Sequence, residues 1–240
     1  MISFGVVALV YASVGLGGGS AYTAMLLLWG ISFDVIPTTS LALNLVVTTL
    51  SAATFLRSGQ LQISRVWPYI LLSIPAAYVG GALILPKEVF LWLLMITLVI
   101  VAVRIYLWQP PAEMALREQP HRVAIALGMG AALGFLSGAV GIGGGIILVP
   151  AIILLSLGPH KEAVAVGSVF VWVNSLAGLI SRLQRGAVDI ELLLSLVVVV
   201  GIGGLVGAYL SAYRWKQATL QRVLGLVVLA AVFSIGKQLI

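Results

Sequence analysis

The sequence predicts an all-α membrane protein made of two four-segment repeats, and three observations support this class. Hydrophobic residues make up 61% of the 240 residues and charged residues only 8%, whereas soluble domains carry about 25% charged residues. Apolar runs long enough to cross a bilayer alternate with short polar breaks. A glycine cluster occurs twice, about half the chain apart. We therefore expect a first transmembrane repeat at 1–108, a cytoplasmic linker at 109–121 and a second repeat at 122–240.

Eight apolar segments follow one another along the chain, with short loops between them. The linker between the fourth and fifth is the most polar stretch of the sequence. The predicted segments are 2–29, 36–56, 66–85, 89–108, 122–156, 163–181, 190–212 and 218–236.

The first and fifth segments each contain a glycine cluster, Val14-Gly15-Leu16-Gly17-Gly18-Gly19 and Val140-Gly141-Ile142-Gly143-Gly144-Gly145. Glycine costs about 1 kcal/mol relative to alanine in a helix, so consecutive glycines favour a break. In hydrocarbon a break leaves backbone N–H and C=O groups without partners unless protein or a polar cavity satisfies them. Two breaks at matching places in two halves indicate a transporter binding site.

The halves resemble each other beyond the glycines. Ser40 begins the second segment as Ser168 begins the sixth, and each helix then carries an asparagine, Asn44 or Asn174. The third segments share small-residue stretches at 75–82 and 201–208, typical of close helix packing in lipid.

The basic residues distinguish two topologies. If the glycine-broken segments cross the membrane, eight of the 13 basic residues share one side; if they bend back as re-entrant hairpins, nine do. The second count agrees better with the positive-inside rule. It makes each repeat an odd number of crossings, so the repeats are inverted, both termini face outward and the linker is cytoplasmic.

The predicted substrate site combines backbone donors with neutral side chains. Successive N–H groups at a glycine turn or a helix N-terminus form a concavity that favours an anion. Hydroxyl and amide groups on the next helix would add donors, although such groups also cap helices, bond their own backbone or join helices. The candidates are Gly17, Gly18, Gly19, Ser20, Thr39, Ser40, Asn44, Gly143, Gly144, Gly145, Ser168 and Asn174.

Charge placement excludes several other functions. Every acidic residue lies at a segment end, so a cation antiporter with a buried carboxylate is disfavoured. The basic residues are scattered singly and form no nucleic-acid-binding stripe. Arg57 and Arg182 are interpreted as interfacial anchors, with attraction of anions as the alternative. The chain has no cysteine, and its two histidines lie between the apolar segments. We therefore expect no catalytic site, no metal site and no cofactor.

The segment from Ser137 to Pro150, with its Gly-x-Gly-Gly-Gly run, resembles the TauE/SafE sulfite exporter family, also called the 4-toluene sulfonate uptake permease family. The first copy is less regular, with Ala24 where the proline would stand. The resemblance covers both repeats. It implies a multi-pass permease of the bacterial cytoplasmic membrane for sulfite or organosulfonates. The motif positions to which it carries a role are Gly17, Gly18, Gly19, Ser40, Gly143, Gly144, Gly145 and Ser168.

The sequence therefore predicts export of a small sulfur oxyanion by alternating access, with the anion held near the bilayer midplane. Its partners would be that anion and the lipid bilayer, without nucleic acid. An anion channel or a non-transporting membrane subunit remain as alternatives. The sequence leaves open a homodimer, the cargo, the direction of transport and the coupling ion.

Overall fold

The computed structural model describes residues 1–13, 15–107, 121–155, 157–158, 160–184 and 189–213, together with 229 and 233. These residues form helices and the turns between them. The helices are α1 (Ile2–Ser13), α2 (Gly19–Leu28), α3 (Ile36–Arg57), α4 (Ile63–Ile70), α5 (Ser73–Ala82), α6 (Lys87–Leu107), α7 (Arg122–Val140), α8 (Gly145–Leu154), α9 (His160–Leu183) and α10 (Ile190–Tyr213).

Four stretches in the described part of the chain are long and apolar enough to cross a membrane. They are Ile36–Arg57, Arg122–Val140, Glu162–Leu183 and Ile190–Leu210. The helices α1 and α2 are also apolar but shorter. At 1.5 Å per residue, each is too short to span a hydrocarbon core of about 30 Å by itself.

The first predicted segment is two short helices whose outer ends lie together. Phe4, near the start of α1, packs edge-on against Trp29, just past the end of α2, with ring centroids 4.9 Å apart. Its ring also stacks on Tyr22 at 5.8 Å. Between the helices, Gly15 and Gly18 have φ values of 72° and 92°. Glycine adopts this left-handed conformation without the steric cost that other residues meet.

The fifth predicted segment is likewise two helices, α7 and α8. Gly141, Gly143 and Gly144 connect them, with φ values of 79°, 77° and 71°. A Cβ added at Gly144 would lie 3.0 Å from the carbonyl oxygen of Leu133, two turns before the end of α7. The connection therefore turns back alongside the helix that it leaves.

The long helices α3 and α9 pack against each other and against the helices that flank them. The helix α10 lies on α1, where a Cβ at Gly207 would be 2.1 Å from Leu9 O. The helix α5 lies on α7 in the same manner, with a Cβ at Gly80 2.2 Å from Phe135 O. Such contacts require glycine, because any side chain would separate the two backbones. The third segment of each half thus packs on the first segment of the other half.

The third predicted segment, 66–85, is the only other one that the structure divides among the described residues. It forms α4 and α5, which Leu71 and Leu72 separate. Pro68 lies inside α4 and Pro75 in the first turn of α5. Proline lacks the N–H that a continuous helix would need there. The predicted linker, except His121, and the predicted segment 218–236, except two residues, lie outside the described residues.

Candidate functional site

The two glycine turns lie in contact with each other. A Cβ added at Gly19 would lie 2.8 Å from Gly141 O and 2.9 Å from the carbonyl carbon of Ile142. Gly19 is the first residue of α2, and Gly141 follows the last residue of α7. Helix breaks from the two halves of the chain are therefore brought together in the protein interior.

Ser40 joins these turns through its hydroxyl group. Its Oγ lies 2.9 Å from Gly19 O and 2.8 Å from Gly141 O, and either carbonyl accepts its hydrogen bond. The Thr23 hydroxyl donates in turn to Ser40 Oγ at 3.0 Å. Ser40 is completely buried on α3. The sequence singled out Ser40 but gave no reason to expect Thr23, which lies one turn past the glycines on α2.

Asn44, one turn further along α3, lies between the turns. A Cβ at Gly17 would lie 2.4 Å from its Oδ1, and Cβ atoms at Gly19 and Gly143 would lie 2.3 and 2.9 Å from its Nδ2. Asn44 is completely buried, and neither amide atom has a hydrogen-bond partner among the described residues. Leaving a buried polar group unpaired costs about 1–3 kcal/mol, so this amide needs a functional explanation.

Val171 on α9 is the neighbour of Asn44 at the turns. A Cβ at Gly17 would lie 3.0 Å from Val171 Cγ1, and one at Gly143 would lie 2.7 Å from the same atom. Asn44 and Val171 thus face the same two glycines, one from each long helix. The sequence did not reveal Val171, because an isolated valine in an apolar helix carries no signal.

Ser168 and Asn174, the predicted counterparts of Ser40 and Asn44, are buried on α9 and bond to their own helix. Ser168 Oγ donates to Ala165 O at 2.7 Å, and Asn174 Nδ2 donates to Phe170 O at 2.8 Å. The Asn174 Oδ1 has no partner among the described residues.

Of the remaining candidates, Gly18, Ser20 and Gly144 lie at the turns or at the helix starts beside them, and Thr39 precedes Ser40 on α3. Ser20 Oγ is hydrogen-bonded to Tyr11 Oη at 3.0 Å, and Thr39 is buried in the first turn of α3. The first turn of α2 closes with the bond from Tyr22 N–H to Gly18 O, and that of α8 with the bonds to Gly144 O. The N–H groups before these bonds are the ones that lack partners within their own helix.

A cavity of about 480 Å³ lies beside the second glycine turn. It is bounded by the starts of α3 and α6 and by the ends of α5, α7 and α9. Pro37 and Ala139 belong to its wall, and Pro37 Cα would be 2.8 Å from a Cβ at Gly141. This volume is within the range of small-molecule sites. Its lining includes Pro37, Thr38, Leu85, Lys87, Ala139 and Arg182.

Arg182 is buried in the wall of this cavity, with 8% of its surface exposed. Its Nη2 donates to Gly138 O at 3.0 Å and to Ala139 O at 2.7 Å, and its Nε approaches Gly138 O at 3.3 Å. These carbonyls end α7 just before the glycine turn. The interpretation of Arg182 as an interfacial anchor is therefore wrong, because its guanidinium group reaches inward. Arg57, in contrast, is exposed.

Two further charged residues belong to the cavity wall, Lys87 and Asp34. Both are exposed at the outer end. A hydrogen bond from the Ser32 hydroxyl holds the pKa of the Asp34 carboxyl below its usual range. Asp34 is thus ionised at neutral pH, and the three side chains carry two positive charges and one negative charge.

A charged cluster links the starts of α4, α7 and α9, at the end of α9 that lies away from the cavity. Arg65 at the start of α4 forms an ion pair with Glu162 in the first turn of α9, and Arg122 Nη2 lies 3.8 Å from the same carboxylate. This cluster joins the first half of the chain to the second. Within the part of the chain that the structure describes, no group of three histidine, cysteine or acidic residues is arranged to hold a metal ion.

Comparison with known proteins agrees with these observations. A family model described as "Sulfite exporter TauE/SafE" matches residues 1–235. The chain is 35% identical over 231 residues to "Probable membrane transporter protein y4hK" of Sinorhizobium fredii (strain NBRC 101917 / NGR234), covering 93% of this chain and 91% of the relative. It is 32% identical over 120 residues to "Probable membrane transporter protein YunE" of Bacillus subtilis (strain 168), covering 50% and 42% respectively. No solved structure matches the chain.

Proposed function

Since the chain belongs to the TauE/SafE sulfite exporter family and is a multi-pass membrane transporter rather than an enzyme, we propose that it carries small sulfur oxyanions, sulfite or an organosulfonate. The anion binds where the two glycine turns meet on α3 and α9. Transport is export across the bacterial cytoplasmic membrane. Both relatives come from bacteria, which supports that location.

The two halves act as inverted repeats in this proposal. Each half begins with two short helices joined by glycines in left-handed conformation. The contact of Phe4 with Trp29 supports a re-entrant hairpin, because a straight crossing would put these rings on opposite sides of the membrane. The exchanged packing of α10 on α1 and of α5 on α7 supports a two-fold relation between the halves. Such repeats place the substrate at their interface.

Asn44 is the observation on which the proposed site depends. Its amide is buried between both glycine turns and lacks partners among the described residues. The Nδ2 group can donate to an oxygen atom of the oxyanion, and Oδ1 can accept from a protonated oxygen, as in hydrogensulfite. The N–H groups at the starts of α2 and α8 add donors and a favourable helix dipole. An anion therefore satisfies groups that the protein itself leaves unpaired.

Transport proceeds by alternating access. The cavity beside Arg182 lies at the start of α3 and the end of α9, whereas Arg65, Glu162 and Arg122 join α4, α9 and α7 at the other end of α9. By the positive-inside rule the end with Arg65 and Arg122 is cytoplasmic, so the described conformation opens outward. Rocking of one repeat against the other would break this charged cluster and close the cavity.

Replacement of Asn44 by leucine tests the proposal in proteoliposomes. Asn44→Leu keeps the side-chain size but removes the donor, and a hydrogen bond to a charged group contributes about 1.5–3 kcal/mol. Sulfite flux should fall about 10- to 100-fold. The protein should remain folded because the Asn44 amide makes no hydrogen bond to the residues that the structure describes. The matched control is Asn174→Leu on α9, which should retain most of the flux.

Unchanged flux in Asn44→Leu would overturn the site assignment. Wild-type flux that rises linearly with sulfite concentration and shows no counterflow would instead support a channel. A purified wild-type protein that moves neither sulfite nor methanesulfonate would contradict the proposed transport of sulfur oxyanions.

A further inference from the structure

We propose that a cleft between the starts of α4 and α7 binds the phosphate group of an anionic phospholipid. The cleft lies at the end of the molecule that the positive-inside rule makes cytoplasmic. Arg65 and Arg122 hold the phosphate, and exposed apolar side chains beside them contact the rest of the lipid. Such a site does not depend on which anion the protein transports.

The cleft has a volume of about 290 Å³, and its walls include Arg65 from α4 and Arg122 from α7. Further along, the two helices touch through their backbones, since a Cβ added at Gly130 would lie 2.2 Å from Tyr69 O. The cleft therefore opens between two helix starts that are held together beyond it. One water takes about 30 Å³ of liquid volume, so a phosphate group with part of its hydration shell has room here.

Positive charge is in excess where these residues meet. Arg65 forms an ion pair with Glu162, whereas Arg122 Nη2 lies 3.8 Å from the same carboxylate, too far for a hydrogen bond. The Arg65 and Arg122 side chains are 43% and 45% exposed, and Glu162 is 12% exposed. The Tyr69 hydroxyl is another polar neighbour of Arg122 and bears no charge at neutral pH. Two guanidinium groups thus share one carboxylate, and arginine binds phosphate through paired N–H donors.

Exposed apolar side chains next to the two arginines favour a lipid over a free anion. Trp67 and Val123 belong to the walls of the cleft, and both are exposed. Ile63 at the start of α4 and Leu71 just past its end are exposed as well. Tryptophan and arginine side by side are typical of the level at which hydrocarbon meets the lipid head groups. Basic pockets between membrane helices on the cytoplasmic side bind anionic head groups.

The second half of the chain differs at the corresponding place. Its third segment is the continuous helix α10, where the first half has α4 and α5. Asp189 and Glu191 stand at the start of α10, and Asp189 Oδ1 accepts a hydrogen bond from Leu192 N–H at 2.9 Å. Carboxylates there repel a phosphate. The alternative role of Arg65 and Arg122 is to fix the topology alone, which requires positive charge but neither a cleft nor exposed apolar walls.

The fluorescence of Trp67 allows a direct binding test. The full chain is placed in phosphatidylcholine vesicles that contain a varied share of either brominated phosphatidylglycerol or brominated phosphatidylcholine, because bromine quenches a tryptophan that it contacts. The contribution of Trp67 is the difference between the wild-type protein and Trp67→Phe. The matched control is Arg57→Gln, which removes an exposed arginine at the end of α3, outside the cleft.

Brominated phosphatidylglycerol should associate with the cleft about tenfold or more tightly than brominated phosphatidylcholine. Arg122→Gln should lower this preference about fivefold, as expected for one basic side chain beside an anionic phosphate. That variant leaves the ion pair of Arg65 with Glu162 intact, so the protein should fold. Arg65→Gln should lower the preference by a similar factor, and Arg122→Lys should retain most of it because the charge remains. Arg57→Gln should leave it unchanged.

Three outcomes would overturn the lipid site. The first is equal quenching of Trp67 by both brominated lipids in the wild-type protein. The second is an equal loss of preference in Arg57→Gln and Arg122→Gln, which would show that surface charge acts without the cleft. The third is loss of quenching by brominated phosphatidylglycerol on addition of methanesulfonate but not of chloride at the same ionic strength, which would make the cleft a site for a free oxyanion. Sulfite flux enters none of these measurements, so failure of the lipid site and failure of the proposed transport are distinguishable.

Discussion

The helices α3 and α9 approach the same glycine turns from the two halves of the chain but present opposite chemistry. Asn44 and Val171 face Gly17 and Gly143 together, and they are 127 residues apart. The residue 127 positions after Ser40 is Gly167, and a Cβ added there would lie 4.0 Å from Gly15 O. The first half thus supplies an amide and a hydroxyl where the second supplies a valine and a glycine.

In the proposed transporter, this difference lets the two halves form a single site. A symmetric pair of buried amides would double the unpaired polar groups, each costing about 1–3 kcal/mol when no anion is bound. With Val171 opposite Asn44, the protein keeps one polar wall and one packed wall. We expect α3 to determine anion binding and α9 to determine packing, and two substitution pairs and one single variant test the comparison of the two halves.

The largest contrast is expected between Gly19→Ala and Gly145→Ala. A Cβ at Gly19 would lie 2.8 Å from Gly141 O, which is backbone and cannot move alone, whereas one at Gly145 would meet the side chain of Val171 at 2.3 Å. Overpacking costs about 1–3 kcal/mol. In SDS titration in mixed micelles, Gly19→Ala should lower the unfolding free energy by about 3 kcal/mol or more. Gly145→Ala should lower it by about 1 kcal/mol.

Gly128→Ala is the matched control for both variants, because a Cβ at Gly128 inside α7 meets nothing within 4 Å. It should stabilise the protein by up to about 1 kcal/mol through helix propensity. Equal destabilisation by Gly19→Ala and Gly145→Ala would show that the turns pack alike in both halves, against the comparison.

A smaller contrast is expected between Ser40→Ala and Ser168→Ala. Ser40 is the hydroxyl shared by Gly19 O and Gly141 O, and it accepts from Thr23, so Ser40→Ala removes the side-chain hydrogen bonds that join the two turns. The cost should be about 1–3 kcal/mol. Ser168 bonds only within α9 in the described contacts, and Ser168→Ala should change the unfolding free energy by less than about 0.5 kcal/mol. A larger cost for Ser168→Ala would show that the second half also links the turns.

The sequence predicted the all-helical class and singled out the two glycine runs and the polar residues Ser40 and Asn44, because glycine runs and polar groups stand out in an apolar chain. It paired Ser40 with Ser168 by residue type, whereas the contacts at the turns relate Ser40 to Gly167. Each residue turns a helix by about 100°. A shift of one position therefore moves a side chain to another face, and residue type alone does not fix that register.

The sequence could not locate the inward reach of Arg182. An arginine at the end of an apolar segment usually extends to the membrane surface. Here the broken end of α7 brings the carbonyls of Gly138 and Ala139 within its reach. These carbonyls are free to accept only because the helix ends before Gly141. The orientation of the Arg182 side chain therefore depends on a tertiary contact between residues more than 40 positions apart.

The smallest effect on the unfolding free energy is expected at the charged cluster, where Arg65 of the first half forms an ion pair with Glu162 of the second. The Arg65 side chain is 43% exposed and the Glu162 side chain 12%. Water reaches the pair from the Arg65 side, and ion pairs that water screens contribute about 0–1 kcal/mol. Glu162→Gln should therefore lower the unfolding free energy by less than Ser40→Ala does, even though both remove a link between halves. In the proposed transport cycle this link closes the cytoplasmic end, so Glu162→Gln should lower the population of the outward-open state. The measurement is slower labelling by an anionic methanethiosulfonate of a Leu85→Cys variant, since Leu85 lines the cavity. If the Glu162→Gln protein were less stable than the Ser40→Ala protein, the charged cluster rather than the glycine turns would make the larger contribution to holding the two halves together.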